Sequence, residues 1–323
     1  MKLALIEATD GDARGEQTTA VLLGGDPENG VEDDFYDLAR LLVAAAGVTG
    51  EPAALIAAAG LTESPLQAAV AAGRLAPLVE EAAALLSKRG LLDDLALPLD
   101  SVRLRPPIPR PNRILAIGRN YAEHAKEQGK TVFEEPIVFL KASTSVIGPD
   151  EPIEIPDWAG RVDYEGELLV VLGSDPDTAR NGKHVPEADA MDLVVGYSLF
   201  NDVTARALQR ADQERKHPWF RSKSLDTFGP LGPYLVTSDE VPDPHDLRLS
   251  LAVNGEIRQD DTTGSMVYSI PALIAFLSKH FRLEPGDVIA TGTPSGIGPL
   301  VPGDTVTVTI PGLGSLTNPV VAV

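Results

Sequence analysis

The 323-residue sequence contains no cysteine. Disulfide bonds, thiolate metal ligands and a cysteine nucleophile are therefore excluded, and any metal ion has to be held by oxygen or imidazole ligands. No apolar run reaches the roughly 18 residues that a membrane-spanning helix requires. The segment Met1–Glu7 is too short and becomes acidic too soon for a signal peptide. From these absences we expect a cytoplasmic protein.

Positive charge is also scarce, because 27 Lys and Arg residues stand against 47 Asp and Glu and leave a net charge of −20. A chain this acidic has no general attraction for nucleic acid or for an anionic membrane. We therefore expect neither as a partner. Any site for an anionic substrate needs positive charge of its own.

Residues 1–105 differ in pattern from the rest of the chain and show no cluster of catalytic side chains. Strands are predicted at Leu3–Ala8 and Thr18–Leu23. Ala- and Leu-rich helices are predicted to follow at Phe35–Ala46, Glu51–Ala59 and Pro65–Arg89. Four prolines in Arg105–Pro111 predict a stiff linker. We interpret residues 1–105 as a domain for packing or dimer support, and residues 106–323 as a second domain.

The second domain has many short strands between glycine and proline turns. Strands are predicted at Ile114–Gly118, Ile137–Leu140, Glu167–Leu172, Leu247–Val253, Asp287–Ala290 and Thr305–Ile310. Helices are predicted at Tyr121–Gln128, Val203–Arg215 and Ile270–His280. Mixed strands with few helices favour a β-rich α+β fold over a doubly wound sheet.

Acidic residues alternate in the segment Asp163-Tyr164-Glu165-Gly166-Glu167, just before an apolar strand. Side chains two residues apart in a strand point to one face, so Glu165 and Glu167 are aimed together. Two such carboxylates repel each other unless a cation or a proton lies between them. Oxygen ligands suit Mg²⁺, Mn²⁺ or Ca²⁺. The alternative is a pair of solvated glutamates on an edge strand.

A second polar group follows the apolar strand that ends at Asn201. Asp202, Arg206 and Gln209 are spaced to share one face of a helix, as expected for a site at a strand end. The alternative for Asp202 is a helix N-cap.

His124 and Glu127 lie three residues apart in another segment. Their spacing is that of a general base and its orienting carboxylate, and the alternative is an exposed surface pair.

Two lysines and a glycine-rich loop complete the candidates. Lys141 and Lys223 lie where the chain is predicted to be buried or tightly turned, and each can bind an oxyanion. The loop Thr291–Gly298 follows a strand, and its N–H groups and hydroxyls can form an anion nest; the alternative is a plain turn. It does not have the spacing of a P-loop or of a dinucleotide-binding motif.

Seven segments, in this order, resemble the fumarylacetoacetate hydrolase family over roughly residues 105–323. They are GRNYAEHAKE, PIVFLKASTSVIGP, DYEGEL, GYSLFNDVTARALQ, KSLDTFGPLGP, VNGEIRQ and PGDVIATGTPSGIG. The resemblance implies a mixed β-roll catalytic domain with a smaller N-terminal α+β domain, often assembled as a homodimer.

The same resemblance assigns roles to individual residues. It implies that Glu165, Glu167 and Asp202 bind Mg²⁺, or else Mn²⁺ or Ca²⁺. It implies that His124 and Glu127 form a water-activating dyad and that Lys223 and Gln209 contact an enolate oxygen. It places Arg119, Lys141, Arg206 and Thr293 at the substrate pocket.

The expected activity is metal-dependent hydrolysis of a C–C bond in a small anionic 1,3-diketo or 2-keto acid. The expected substrate is of the acylpyruvate or fumarylpyruvate type. Decarboxylation of oxaloacetate is the companion reaction to be tested. The metal would polarise the keto oxygen and stabilise enolate charge. Within the family the alternatives are 2-hydroxyhepta-2,4-diene-1,7-dioate isomerase/decarboxylase and 2-keto-3-deoxy-acid dehydratase or hydrolase activity. Outside it they are a Schiff-base aldolase that uses Lys223, and a non-catalytic acid-binding module.

Overall fold

The computed structural model describes residues 1–9, 15–23, 34–49, 64–98, 101–121, 134–173 and 182–323. The predicted helix Glu51–Ala59 lies outside these residues, and so does the predicted helix Tyr121–Gln128 apart from its first residue. His124 and Glu127 lie outside them as well.

The described residues form strands and helices with the following bounds. The strands are β1 (Lys2–Ala8), β2 (Gln17–Leu23), β3 (Asp34–Asp37), β4 (Val102–Arg105), β5 (Ile114–Gly118), β6 (Ile137–Lys141), β7 (Val146–Ile147), β8 (Ile153–Ile155), β9 (Val162–Tyr164), β10 (Gly166–Leu172), β11 (Val194–Asn201), β12 (Thr204–Ala205), β13 (Gly229–Thr237), β14 (Arg248–Val253), β15 (Glu256–Thr262), β16 (Val288–Ala290), β17 (Gly298–Leu300), β18 (Thr305–Ile310) and β19 (Gly314–Ala322). The α-helices are α1 (Leu38–Thr49), α2 (Pro65–Val70), α3 (Ala72–Lys88), α4 (Arg206–Glu214), α5 (Phe220–Lys223) and α6 (Ile270–His280).

The largest sheet in the described part of the chain has 11 strands, which come from both residues 1–105 and residues 106–323. Its main path is β3-β2-β1-β13-β11-β10-β16-β5-β6, while β4 pairs with β1 and β7 pairs with β13. β1 runs antiparallel to β13, with Leu3 opposite Leu235. The first strand of the chain is therefore joined directly to the sheet that contains β10 and β11.

A second sheet of five strands, in the order β15-β14-β18-β19-β8, packs against one face of the first. Leu168 and Val170 of β10 share a buried apolar cluster with Leu251 of β14 and Val308 of β18. The intervening Leu169 belongs to a different cluster, which includes residues of α1 to α3. Every residue of β10 is buried, as expected for a strand covered on both faces.

The prediction of a β-rich α+β fold is confirmed, and several elements have the predicted bounds. The strands Ile114–Gly118 and Thr305–Ile310 and the helix Ile270–His280 agree residue for residue. None of the described helices combines enough length with enough apolar character to cross a lipid bilayer.

Two N-terminal helices differ from the predictions. Phe35 is in β3, where it pairs with Leu22, and α1 begins only at Leu38. Asp37 Oδ1 accepts a hydrogen bond from Arg40 N at 2.8 Å, and this cap fixes the later start. The predicted helix Pro65–Arg89 is two helices that meet at Ala71, whose φ of −91° and ψ of 6° are not helical. The two have different neighbours, because α2 contacts β1 and β13 whereas α3 contacts α1.

Candidate active site

Two buried glutamates flank the first residue of β10. Glu165 is the residue between β9 and β10, and Glu167 is the second residue of β10. Their exposed fractions are only 6% and 2%. β10 lies between β11 and β16. The alternative of solvated glutamates on an edge strand is therefore wrong.

Asp202 reaches the two glutamates from the end of β11. In the antiparallel pair of β10 and β11, Gly166 lies opposite Asn201, and Asp202 N donates to Glu165 O at 2.8 Å. One carboxylate oxygen each from Glu165, Glu167 and Asp202 lies within 4.8 Å of the other two. The structure therefore brings together the three acidic side chains that were singled out in the sequence.

The predicted helix Val203–Arg215 is wrong at its start, because α4 begins at Arg206 with Ala205 as its N-cap. Thr204 instead pairs with Asp163 in a short antiparallel contact between β12 and β9. That pairing delays the helix, so Asp202 is not an N-cap. Arg206 and Gln209 share a helical face as predicted, but Asp202 is not on that helix.

Two buried lysines lie against the carboxylates. Lys223 Nζ donates to Glu165 Oε2 at 2.9 Å and also to Asp202 Oδ2. Lys141 Nζ is 2.7 Å from Asp202 Oδ1 and donates to the main-chain oxygen of Lys223. Each lysine thus has the charge partner that its burial requires.

Burial and the carboxylates act in opposite directions on the two lysines. Burial lowers the pKa of Lys223, but Asp202 and Glu165 more than offset it, so the pKa is raised overall. For Lys141, burial prevails over the attraction of Asp202, and the pKa is lowered. Lys223 is therefore an ammonium group that donates hydrogen bonds. This argues against its use as a Schiff-base nucleophile, which has to be unprotonated.

The third carboxylate of the group is Glu167, and its pKa is raised well above the usual 4.5. Burial is the largest cause, and the negative charges of Asp202 and Glu165 add to it. The cluster therefore favours an additional positive charge between its oxygens, and three oxygen ligands suit a hard divalent cation.

A second group of buried polar side chains is organised around Arg206. Its Nε donates to Asp163 Oδ2 at 2.9 Å, one Nη to Gln209 Oε1 at 2.7 Å, and the other Nη to Glu165. Asp163 was quoted in the sequence motif without a role. The signal that could have found it is its alternation with Glu165 and Glu167.

The loop after β16 hydrogen-bonds along the start of β10 through three consecutive residues. The bonds are Thr291 Oγ1 to Leu168 O at 2.9 Å, Gly292 N to Glu167 Oε2 at 2.9 Å, and Thr293 Oγ1 to Gly166 O at 2.8 Å. The N–H of Gly292, expected in an anion nest, thus binds a carboxylate of the protein itself. Gly292 has a φ of 97°, and a Cβ there would lie 2.9 Å from the Cβ of Asn120.

The three carboxylates open into a cavity. Its wall includes five further predicted residues, namely Arg119, Arg206, Gln209, Lys223 and Thr293. Lys141, predicted in or near the pocket, is not part of this wall, but its Nζ is 2.7 Å from Asp202 Oδ1 behind it. The wall also contains Phe139, Gln213 and Trp219, which the sequence interpretation did not assign.

Aromatic side chains form the side of the cavity that holds Arg119. The Arg119 Cζ lies 5.6 Å from the ring centroid of Trp219, and that ring meets Phe139 edge-on with centroids 5.6 Å apart. Burial lowers the pKa of Arg119. A Cβ at Gly118 would lie 2.9 Å from Trp219. No sequence signal linked Trp219 to Arg119, which lies about a hundred residues earlier.

Comparisons with a family model, with related sequences and with solved structures point to the same family of proteins. The family model described as fumarylacetoacetate (FAA) hydrolase C-terminal matches residues 113–321. The mitochondrial oxaloacetate tautomerase of Xenopus laevis is 44% identical over 228 residues, which are 68% of this chain and 69% of that protein.

Two solved structures extend the comparison. One is 5-carboxymethyl-2-hydroxymuconate delta-isomerase from Mycobacterium smegmatis, which is 35% identical with a TM-score of 0.70 over 100% of this chain and 99% of that one. The other is fumarylpyruvate hydrolase from Pseudomonas aeruginosa in complex with Mn²⁺ and pyruvate, 33% identical with a TM-score of 0.62 over 68% of this chain and 92% of that one.

The family match covers well over half of the chain, and it includes the strands and loops that carry the three carboxylates. On this evidence the chain belongs to the fumarylacetoacetate hydrolase family.

Proposed function

We propose that this chain is a divalent-metal-dependent enzyme that interconverts the keto and enol forms of a small 2-keto acid of the oxaloacetate type. One observation carries the proposal. In a single cavity, the carboxylates of Glu165, Glu167 and Asp202 adjoin hydrogen-bond donors of Lys223 and Gln209. Removing a proton next to a keto group requires stabilisation of the negative charge on oxygen, and this set of side chains supplies it.

Glu165, Glu167 and Asp202 would hold the metal ion, with Mg²⁺ and Mn²⁺ as the first candidates and Ca²⁺ as a third. When bound, the ion supplies the positive charge that polarises the keto oxygen. The Mn²⁺ in the fumarylpyruvate hydrolase structure supports this choice.

Lys223 is suited to donate to the enolate oxygen. Of the described residues, Glu165 and Asp202 accept hydrogen bonds from its Nζ, through two of the three hydrogens of the ammonium group. We assign the third to an oxygen atom of the substrate. Since the two carboxylates keep Lys223 protonated, this donor is present at neutral pH.

Gln209 supplies a second donor whose orientation is fixed. Its Oε1 accepts from Arg206, so the amide NH₂ faces away from the guanidinium. Arg206 is in turn held by Asp163 and Glu165. It therefore acts as a support for the site. Arg119 is the cation of the cavity wall that we assign to a substrate carboxylate.

A second candidate is the hydrolysis of a C–C bond in an acylpyruvate or fumarylpyruvate. The fumarylpyruvate hydrolase of Pseudomonas aeruginosa supports it, and so do His124 and Glu127 in the sequence. Breaking that bond leaves the same enolate, but a base also has to take a proton from the attacking water. Isomerisation, decarboxylation and dehydration share the enolate as well and belong in the same assay panel.

The test uses enzyme stripped with EDTA and reloaded with Mn²⁺. Decay of the enol absorbance of oxaloacetate measures tautomerisation, and mass spectrometry measures products from acetylpyruvate, fumarylpyruvate, fumarylacetoacetate and 2-keto-3-deoxy acids. We expect wild type and His124→Ala to accelerate tautomerisation, and Glu165→Gln or Asp202→Asn to lose it. If wild type instead converts an acylpyruvate into two acids and His124→Ala does not, the enzyme is a hydrolase. Full activity in metal-free enzyme would refute both candidates.

A further inference from the structure

Gly166 separates Glu165 from Glu167, and both polar groups of its main chain are held by side chains. Its N–H donates to Gln259 Oε1 at 3.0 Å, and its carbonyl oxygen accepts from Thr293 Oγ1 at 2.8 Å. Glycine has the widest choice of backbone conformation. Because these two bonds hold the peptides on either side of Gly166, they constrain the direction in which each glutamate leaves the backbone.

The two side chains also hold each other. Gln259 Nε2 donates to Thr293 Oγ1 at 2.8 Å and to Pro294 O at 2.9 Å. The amide of Gln259 therefore has one orientation, with its oxygen toward Gly166. We call Gln259 and Thr293 together the Gly166 clamp.

The clamp uses the only hydrogen of the Thr293 hydroxyl. That hydrogen goes to Gly166 O, while the hydroxyl oxygen accepts from Gln259. While these bonds are formed, the Thr293 hydroxyl therefore has no hydrogen to donate to a substrate in the cavity. A lone pair of the oxygen is what remains.

Gln259 brings the second sheet into contact with the carboxylates. It is the buried residue of β15, with an exposed fraction of 1%, between Arg258 and Asp260, which are both exposed. A Cβ at Gly166 would lie 3.2 Å from Leu251 and 3.3 Å from Val308, two apolar residues of the same sheet. The close approach of this sheet to Gly166 leaves the Gln259 amide as the polar contact between them.

We propose that Gln259 is a positioning residue that sets the separation of the Glu165 and Glu167 carboxylates for a divalent ion, and that Thr293 acts with it in this role. The inference rests on the metal-binding part of the proposed function. Gln259 touches neither the ion nor the substrate. Changing a residue that orients metal ligands typically weakens metal affinity or activity by about 10–100-fold.

The experiment compares Gln259→Leu, Thr293→Val, Thr293→Ser and the double variant Gln259→Leu/Thr293→Val. Arg258→Leu, one residue earlier on the same strand, is the control. Calorimetry of metal-free protein measures Mn²⁺ affinity, and hydrogen exchange of the peptide that contains Gly166 measures the clamp without metal. We expect Gln259→Leu and Thr293→Val each to weaken Mn²⁺ binding by about 10–100-fold and to speed exchange. Thr293→Ser and Arg258→Leu should resemble wild type.

The double variant and the kinetics separate positioning from substrate binding. Because both residues form one clamp, the double variant should bind Mn²⁺ about as weakly as either single variant. At saturating Mn²⁺, Thr293→Val should recover most of its activity, and its KM should change little. A raised KM with wild-type Mn²⁺ affinity would overturn the proposal and make Thr293 a substrate ligand.

The remaining outcomes are also decisive. If wild type binds Mn²⁺ and Gln259→Leu binds it equally well, the clamp proposal fails and the proposed function stands. If wild type binds no Mn²⁺, both fail. If Gln259→Leu does not fold, the contrast between Thr293→Val and Thr293→Ser provides the same test, because only the second keeps the hydroxyl.

Discussion

Among the described residues around the candidate active site, buried acidic side chains outnumber buried basic ones. The buried carboxylates are Asp163, Glu165, Glu167 and Asp202, and the buried cations are Lys141, Arg206 and Lys223. Each cation contacts the group that contains Asp163, Glu165 and Asp202. Within the described ranges, Glu167 has no such cation, and its Oε2 accepts from the N–H of Gly292 at 2.9 Å. Burial and the negative charges of Asp202 and Glu165 accordingly raise the pKa of Glu167.

Binding of Mn²⁺ should therefore release protons at pH values between 4.5 and the raised pKa of Glu167. The raised pKa of Glu167 means that it still holds a proton above pH 4.5, and that proton has to leave before the oxygen can bind a cation. Affinity should rise with pH until the folded-state pKa is passed. Calorimetric titrations in two buffers of different ionisation enthalpy count the protons. Equal heats in both buffers would contradict the assignment, and Glu256→Gln, at an exposed position of β15, should behave like wild type.

Lys223→Met should separate stability from catalysis. Removing one partner of a buried ion pair costs about 3–5 kcal/mol, so urea should unfold the metal-free variant at a lower concentration. Mn²⁺ supplies the missing charge, and it should raise the Tm of this variant more than that of wild type. At saturating Mn²⁺, kcat should still fall by about 10²–10³-fold, as for loss of one oxyanion donor.

Arg248→Met is the control for this prediction, since its ion pair with Asp260 is exposed. Such pairs contribute about 0–1 kcal/mol. A Lys223→Met enzyme with wild-type kcat would show that Lys223 does not act on the substrate.

Sequence reasoning identified residues whose chemistry stands out and missed those that act through other residues. Glu165 and Glu167 could be predicted because strand periodicity aims them together, and the structure shows them together. Gln259 is one uncharged residue in a polar edge strand, and it meets Gly166 only because the second sheet packs there. Trp219 is likewise brought to Arg119 by the fold and by no local pattern.

At the scale of elements, the turn between α4 and α5 carries Trp219 into the cavity wall. Asp212 of α4 is fully buried, and Arg221 of α5 donates to it through Nε at 2.9 Å. The main-chain oxygen of Asp212 also accepts from His217 N at 2.8 Å. This ion pair spans the turn and holds it in place.

Asp212→Asn should destabilise the protein at neutral pH more than at low pH. The hydrogen bond from Arg221 lowers the pKa of Asp212 below its usual 3.8. Its contribution to stability is therefore present above pH 3.8 and is lost as the pH falls through the lower folded-state pKa. Urea unfolding of wild type and variant at pH 7 and pH 3 measures the difference, which should shrink in acid. A pH-independent difference would count against this role of the pair.

Element bounds were predictable where local signals are strong. α6 begins at the predicted residue because Ser269 caps it, with Ser269 Oγ accepting from Ala272 N at 3.3 Å. The break at Ala71 has no glycine or proline to announce it, and the apolar spacing continues across it. The late start of α4 depends on the pairing of Thr204 with Asp163, a contact between distant parts of the chain.

At the scale of the whole molecule, residues on both sides of the predicted boundary near residue 105 share one sheet and one core. β4 ends at Arg105 and pairs with β1, which pairs with β13. Leu3, Phe200 and Leu235 belong to the same apolar cluster. Within the proline-rich segment, Ile108 is buried. The division into two domains stays a prediction, and the shared sheet indicates how to test it.

Thermal unfolding should show one transition for the two parts. Leu3 is fully buried, so Leu3→Ala should lower the free energy of unfolding by about 2–5 kcal/mol and move the whole transition. Leu91→Ala, at an exposed position, is the control. Scanning calorimetry checks this, and two separate transitions, with only one moved by Leu3→Ala, would instead establish independent domains.

Successive side chains of β10 point alternately into two apolar cores, and this limits where a new substrate preference can be engineered. A slip of one residue would send Leu168 and Leu169 into each other's core and turn Glu167 away from Asp202. Mutational libraries aimed at other keto acids should therefore leave this strand intact. They should vary Gln213, near the end of α4, and Trp219, in the turn that follows, because both border the cavity and neither belongs to either core.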